Sequence, residues 1–276
     1  MGCIASKKLP TEPTKAALDP ETVVLAARAP ADAPRHFRVL VTGFCDWEGL
    51  QNKRDGVWRS RDNPSSRLLL GAACDSPPFS REGALAARLR ASNLPVEWGF
   101  MALPTHWCTA RVIDYMFWDV VVHMGLGVYD NHNTLLLEKG AFNSRSNHPD
   151  AAGNPPPAPQ LCEGAPLVLE APPHVAAAIA SAAALALPGG FRVEVAAARS
   201  DNAYICNETN WRALEAVAAA AVTSKPKPSL AAYFLHLPQP AEPDDFAQLA
   251  DAVEAVVTHL VRESVREHTR AHARAL

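Results

Sequence analysis

The chain lacks any stretch of about 18 apolar residues free of charge, so it offers no membrane-spanning helix. The nearest approach, the alanine-rich run from Val175 to Leu187, is short and is closed by Pro188-Gly189-Gly190. No C-x-x-C pair occurs among the six cysteines Cys3, Cys45, Cys74, Cys108, Cys162 and Cys206. Their scatter argues against a zinc site and against a disulfide framework. Free thiols, a reducing compartment and no metal or other cofactor are therefore expected. A basic stripe is missing too. The 26 Lys and Arg stand against 29 Asp and Glu, a formal charge of −3, so nothing here suits nucleic acid. The N-terminus lacks the apolar region of a secretory signal, and no internal repeat is visible.

What the chain does have is an ordinary globular balance, 48% apolar and 20% charged residues over 276 positions. That length suits one large α/β domain or two small ones. Apolar runs at Phe37 to Thr42, Val96 to Leu103, Asp119 to Gly127, Phe191 to Ala197 and Ala231 to Pro238 read as strands. Between them, Leu68 to Ala73, Gly83 to Ala91, Ala110 to Trp118 and His174 to Leu187 read as helices. So do the run after Cys206 and the stripe Phe246, Leu249, Val253, Val256, Val257, Leu260. Strands alternating with helices predict one α/β domain. Its largely parallel, mixed sheet would lie between helix layers as a three-layer α/β/α sandwich over residues 37–262. Residues 1–36, rich in Ala and Pro, read as a flexible tail. The Arg/His-rich residues 263–276 read as a C-terminal tail. Ser144 to Pro166, rich in Pro, Asn and Gly, reads as a long surface loop.

Met1-Gly2-Cys3-Ile4-Ala5-Ser6 fits the N-myristoylation pattern at Gly2, and Cys3 beside it suits palmitoylation. Lys7 and Lys8 would add attraction to anionic lipid. Two acyl chains anchor stably where one binds marginally. The expectation is a cytoplasmic protein, tethered to the cytoplasmic face of a membrane if Gly2 and Cys3 are acylated.

Three polar residues stand in or at the end of apolar runs: Glu138 after Leu135-Leu136-Leu137, Cys206 between a strand and a helix, and His236 within the last strand. Each alone is more often structural than catalytic, and a free Cys is usually buried and inert. Together they supply a nucleophile, a base and an orienter. A thiol is mostly protonated at neutral pH and needs an adjacent His to take its proton. The His needs a carboxylate to fix its tautomer and stabilise the imidazolium. A helix N-terminus at Cys206 would favour the thiolate. The carboxyl ends of parallel strands are where the three are expected to meet.

Seven motifs, in order, resemble the pyroglutamyl peptidase I family, the pyrrolidone-carboxylate cysteine peptidases. They are Val41-Thr42-Gly43-Phe44, Asn63-Pro64-Ser65, Leu103-Pro104-Thr105-His106-Trp107, His123-Met124-Gly125, Glu138 with Ala141, Asn143, Asp150 and Gly153, Tyr204-Ile205-Cys206-Asn207, and Phe234-Leu235-His236-Leu237-Pro238. The resemblance covers roughly residues 37 to 262. It implies that Cys206 is the nucleophile, His236 the general base and Glu138 the orienter, and that the substrates are pyroglutamyl peptides. It also implies that Phe44 and Trp47 sandwich the lactam ring, with Tyr204 and Ile205 walling the pocket and the Cys206 N–H serving the oxyanion.

The chain departs from the family at several places, among them Asn147, where the family often has Arg and this chain has Arg145 two residues earlier, and the long stretch between Cys206 and His236. Asp46-Trp47-Glu48-Gly49 stands where the family has Pro-Phe-Gly-Gly, and Asp201-Asn202 stands where it has Ala-Gly. If that Gly needs a positive φ, Asn is the least costly replacement. Three readings remain open at this point. They are a cysteine omega-peptidase, a catalytically impaired relative acting as a peptide-binding or membrane-tethered scaffold, and a hydrolase of another small lactam or amide.

Overall fold

A computed structural model describes residues 37–45, 51–52, 56–57, 63–71, 82–127, 131–222, 230–240 and 245–275. The strands are β1 (Phe37–Phe44), β2 (Gln51–Asn52), β3 (Gly56–Val57), β4 (Val96–Leu103), β5 (Val120–Leu126), β6 (Thr134–Glu138), β7 (Gly140–Phe142), β8 (Val168–Glu170), β9 (Arg192–Ala196) and β10 (Ala231–Leu237). The helices are α1 (Pro64–Leu70), α2 (Ala84–Ala91), α3 (Pro173–Ala182), α4 (Ile205–Val222) and α5 (Asp245–Ala275). Six strands form one sheet in the order β4-β1-β5-β10-β6-β9, and β2-β3 and β7-β8 are separate two-stranded pairs. β4, β1, β5 and β10 run parallel, β6 is antiparallel to β10, and β9 is parallel to β6. The architecture is the expected α/β one, with a mixed, largely parallel sheet.

Successive side chains of a strand point to opposite faces, and the burial pattern divides accordingly. Val39 and Val41, Val120, Val122 and Met124, Leu135 and Leu137, and Tyr233 and Leu235 join one core with α1, α2, α3 and α5. Leu40 and Phe44, Met101 and Leu103, Val121 and Phe234 join a second, smaller core with Ile205 of α4. The alternate positions His123, Gly125, Leu136, Glu138 and His236 therefore belong to the α4 face. This assignment decides where the polar residues meet.

Several elements differ from the sequence reading. Helix α1 starts at Pro64, with Pro at its first turn and Asn63 as N-cap, its side chain accepting from Ser65 N–H at 3.1 Å. The helix expected over Ala110 to Trp118 is only a 3-10 turn at Thr109–Val112. Asp114 Oδ1 takes the Met116 N–H at 3.1 Å, a local bond that competes with helix. Trp118 is packed on Gly99 so closely that a Cβ there would lie 2.3 Å from the indole. Helix α3 ends at Ala182, short of Leu187. Helix α5 continues to Ala275, past the expected boundary at 262. There Ser264 shares a hydrogen bond of 2.9 Å with Tyr233, and His268 meets Phe37 edge-on.

Two expectations about the thiols and the membrane also meet the structure here. Cys162 is disulfide-bonded, which corrects the expectation of free thiols throughout. Scatter along the sequence says nothing about proximity in space. Cys45, Cys108 and Cys206 are not disulfide-bonded. Among the described residues no helix is long and apolar enough to cross a membrane. The acylation signal at Gly2 and Cys3 lies outside the described residues.

Candidate active site

Helix α4 places Cys206 in its first turn. Backbone N–H groups there have no partner within the helix, and the helix dipole favours negative charge. The next residue, Asn207, fixes the helix start to its neighbours. Its Nδ2 donates to Phe142 O at 2.7 Å and Ser144 O at 3.1 Å, and its Oδ1 accepts from Phe142 N–H at 2.8 Å. One turn in, Glu208 is buried with Arg145 in an ion pair of 2.6 Å and accepts the Cys108 N–H at 3.0 Å. Arg145 thus anchors the helix and is not among the residues lining the cavity described below.

His236 stands next to last in β10, on the face that α4 covers. It is hydrogen-bonded to Cys206, and its Nδ1 lies 3.1 Å from Glu138 Oε1. Burial would by itself lower the His236 pKa. The hydrogen bonds to Cys206 and Glu138, with their charges, outweigh it and push the pKa up to about 10. The imidazolium is therefore the favoured form beside these two partners.

Glu138 does not reach His236 from a shared carboxyl edge, contrary to the expectation from a parallel sheet. β6 runs against β10 with His236 opposite Leu136. Glu138 is two residues farther along β6, so it approaches His236 on the diagonal of the same face. Diagonal neighbours are within reach of a long side chain. Glu138 is 6% exposed, and a second donor, Asn202 Nδ2, binds its Oε1 at 2.7 Å.

A cavity of about 370 Å³ opens over these groups. Phe44, Tyr204, Ile205, Cys206, His236 and Glu138 all line it. Phe44, at the end of β1, packs toward Phe234 with ring centroids 6.4 Å apart, and its N–H is held by Ser65 Oγ at 3.0 Å. Gly43 admits this approach, because a Cβ there would lie 2.4 Å from Ser65 O. Tyr204 is edge-on to Trp107 at 5.2 Å and donates its hydroxyl to Pro149 O at 2.9 Å. Trp47 and its neighbours Asp46 and Glu48 lie outside the described residues. Below the cavity His123 is fully buried between Thr42 Oγ1 (2.7 Å) and Tyr115 OH (3.2 Å), and burial lowers its pKa to about 3.

The cavity also holds residues that the sequence reading did not select as site residues: Asn63, His148, Arg199, Asp201 and Asn202. Asn63 stood in a recognised motif, but without a role. The run Ser200-Asp201-Asn202 just before the nucleophile was visible as polar, yet its direction was not. Asn is the residue type after Gly that best tolerates a positive φ. Among the described non-glycine residues only Cys108 has a positive φ, at 65°, so Asn202 is not there for that reason. Among the described residues, no cluster of His, Cys, Asp and Glu is arranged to hold a metal ion.

The fold has counterparts among solved structures. Pyroglutamyl peptidase I from Bacillus amyloliquefaciens is 17% identical, with a TM-score of 0.52 over 81% of this chain and 98% of that one. Pyrrolidone carboxyl peptidase from Thermococcus litoralis is 18% identical, with a TM-score of 0.54 over 85% and 96%. The enzyme from Fervidobacterium islandicum AW-1 is 21% identical, with a TM-score of 0.53 over 84% and 99%. No protein-family model and no curated protein matches the sequence. The likeness, at these identities, is one of backbone architecture, and it spans nearly the whole length of each of those enzymes. This chain has the fold of the pyroglutamyl and pyrrolidone carboxyl peptidases.

Proposed function

We propose that the protein is a cysteine omega-peptidase that removes an N-terminal pyroglutamyl residue from peptides. One observation carries the reading. Cys206, His236 and Glu138 are linked by hydrogen bonds, in that order, at the wall of a largely apolar cavity. Cys206 is the nucleophile, His236 the general base and acid, and Glu138 the group that orients His236. A neutral lactam with no free amine suits a pocket walled by Phe44, Tyr204 and Ile205. The structural neighbours are named as pyroglutamyl and pyrrolidone carboxyl peptidases, which agrees with this substrate class.

The chemistry follows from the geometry. His236 takes the thiol proton, and the Cys206 thiolate attacks the pyroglutamyl carbonyl carbon. The resulting oxyanion is served by the unpaired N–H groups of the first turn of α4, the Cys206 N–H first among them. The His236 imidazolium then protonates the leaving amine, and the C–N bond breaks to leave a thioester. Water, deprotonated by His236, attacks the thioester. Free pyroglutamate leaves and the thiol is restored.

Release of a fluorescent amine from a pyroglutamyl conjugate tests the reading. Turnover by the wild type, abolished in Cys206→Ala, is expected. Turnover that survives Cys206→Ala would remove Cys206 from the mechanism. Activity confined to conjugates with a free amino terminus would refute the substrate class.

A further inference from the structure

The polar run before the nucleophile contains a contact that neither the fold nor the peptidase reading requires. Asn202 stands in the loop between β9 and α4, half-buried, with its N–H bonded to Arg199 O at 3.2 Å. Its Nδ2 donates to Glu138 Oε1 at 2.7 Å. The same oxygen faces His236 Nδ1 at 3.1 Å. The family that the chain resembles has Gly at this position, a residue with no side chain to make such a bond. Asn202 does not have a positive φ. The side chain, and not the backbone, gives this position its use.

We propose that Asn202 is a positioning residue, whose amide holds the Glu138 carboxylate in the orientation that serves His236. This rests on the reading of Cys206, His236 and Glu138 as one catalytic unit. A glutamate has three side-chain torsions, and one bond from His236 leaves the carboxylate free to swing about that contact. A second donor on the same oxygen, Asn202 Nδ2, restricts that swing. Hydrogen bonds to an ionised acceptor are the stronger kind. Arg199, Asp201 and His148 line the same cavity as Glu138. Arg199 and Asp201 pair with each other at 3.3 Å and are well exposed, so neither is committed to Glu138.

Two variants test this, with iodoacetamide alkylation of Cys206 read as its ratio to wild type at each pH. The background from other thiols is subtracted with Cys206→Ala, and turnover of the pyroglutamyl conjugate is followed in parallel. Asn202→Gly removes the donor and is expected to slow both reactions about tenfold, the weight of one hydrogen bond to a charged group. Asn202→Asp keeps the shape but sets an acceptor against Glu138. It is expected to lose more than Asn202→Gly near neutral pH and to recover part of the loss in acid, where the introduced carboxyl takes up a proton. Wild-type rates in either variant overturn the proposal. Equal losses in both variants with no dependence on pH also overturn it, because only packing at the position would then matter. If alkylation follows the expected pattern while the wild type fails to hydrolyse the conjugate, Asn202 stands as the positioning residue and the substrate reading fails.

Discussion

Gly125 lies directly against the thiol of Cys206: a Cβ at position 125 would come within 2.9 Å of its Sγ and 3.1 Å of the Phe234 ring. Strand β5 pairs Gly125 with His236, so the missing side chain leaves room for the nucleophile to sit beside its base. Gly125→Ala is expected to keep the fold, at a cost of about 1–3 kcal/mol for overpacking. It should lower turnover about a hundredfold by pushing the sulfur away from His236. Kinetics together with thermal unfolding separate the two effects. A variant with wild-type turnover would show that the thiol does not work from this position.

Glu138→Gln tests the orienter while keeping its volume. The variant removes the negative charge that helps to raise the His236 pKa and leaves only a neutral acceptor, so that pKa should fall from its value near 10. The imidazolium is then lost at lower pH, and the alkaline limb of the pH–rate profile moves toward neutrality. Turnover should drop about a hundredfold or more, as expected when a triad histidine loses its fixed tautomer. An unmoved alkaline limb would argue that Glu138 does not act through His236.

His123 gives a prediction about stability in acid. In the folded protein burial holds its pKa near 3, against an ordinary 6.5. Between these two values the unfolded chain carries a proton on this residue that the folded protein does not. Stability contributed by neutral His123 is therefore full above pH 6.5 and is lost as the pH falls toward 3. The slope is about 1.4 kcal/mol per pH unit within that window. His123→Gln cannot titrate, and urea unfolding across the window should show a slope shallower by about one proton. His236 acts in the opposite sense. Its raised pKa contributes stability that is complete below the ordinary histidine value and is lost as the pH rises through about 10.

Arg145 and Glu208 are 3% and 2% exposed at the side chain. Arg145 also donates to Ala158 O and Gln160 O, which ties the long 144–166 loop to α4. Arg145→Ala would leave a buried, unpaired carboxylate, at a cost of about 3–5 kcal/mol. Chemical denaturation reads this directly. A loss under about 1 kcal/mol, the range of exposed pairs, would mean that water reaches Glu208.

Much of the fold was legible because the strands are apolar runs of ordinary length and the long helices carry clear periodicity. β1, β4, β5, β10 and α4 fall where the pattern puts them. The segment from Ala110 to Trp118 was not legible. Its apolar residues suit a helix by spacing, but an Asp114 side-chain bond and the docking of Trp118 on Gly99 win over local propensity. The far end of α5 was missed for the reverse reason. Its sequence turns polar, yet Tyr233 and Phe37 give it something to pack against.

By itself the sequence determined which residues could do chemistry. It set a thiol between a strand and a helix, an imidazole within an apolar strand and a carboxylate at the end of an apolar run. Only the tertiary structure decided how they meet. The reversed direction of β6 brings Glu138 to His236 on a diagonal, and the loop after β9 turns Asn202 onto the same carboxylate. The absence of a side chain at Gly125 makes room for the thiol. Strand direction and loop path are set by packing between segments far apart in the chain, and no local pattern of residues encodes them.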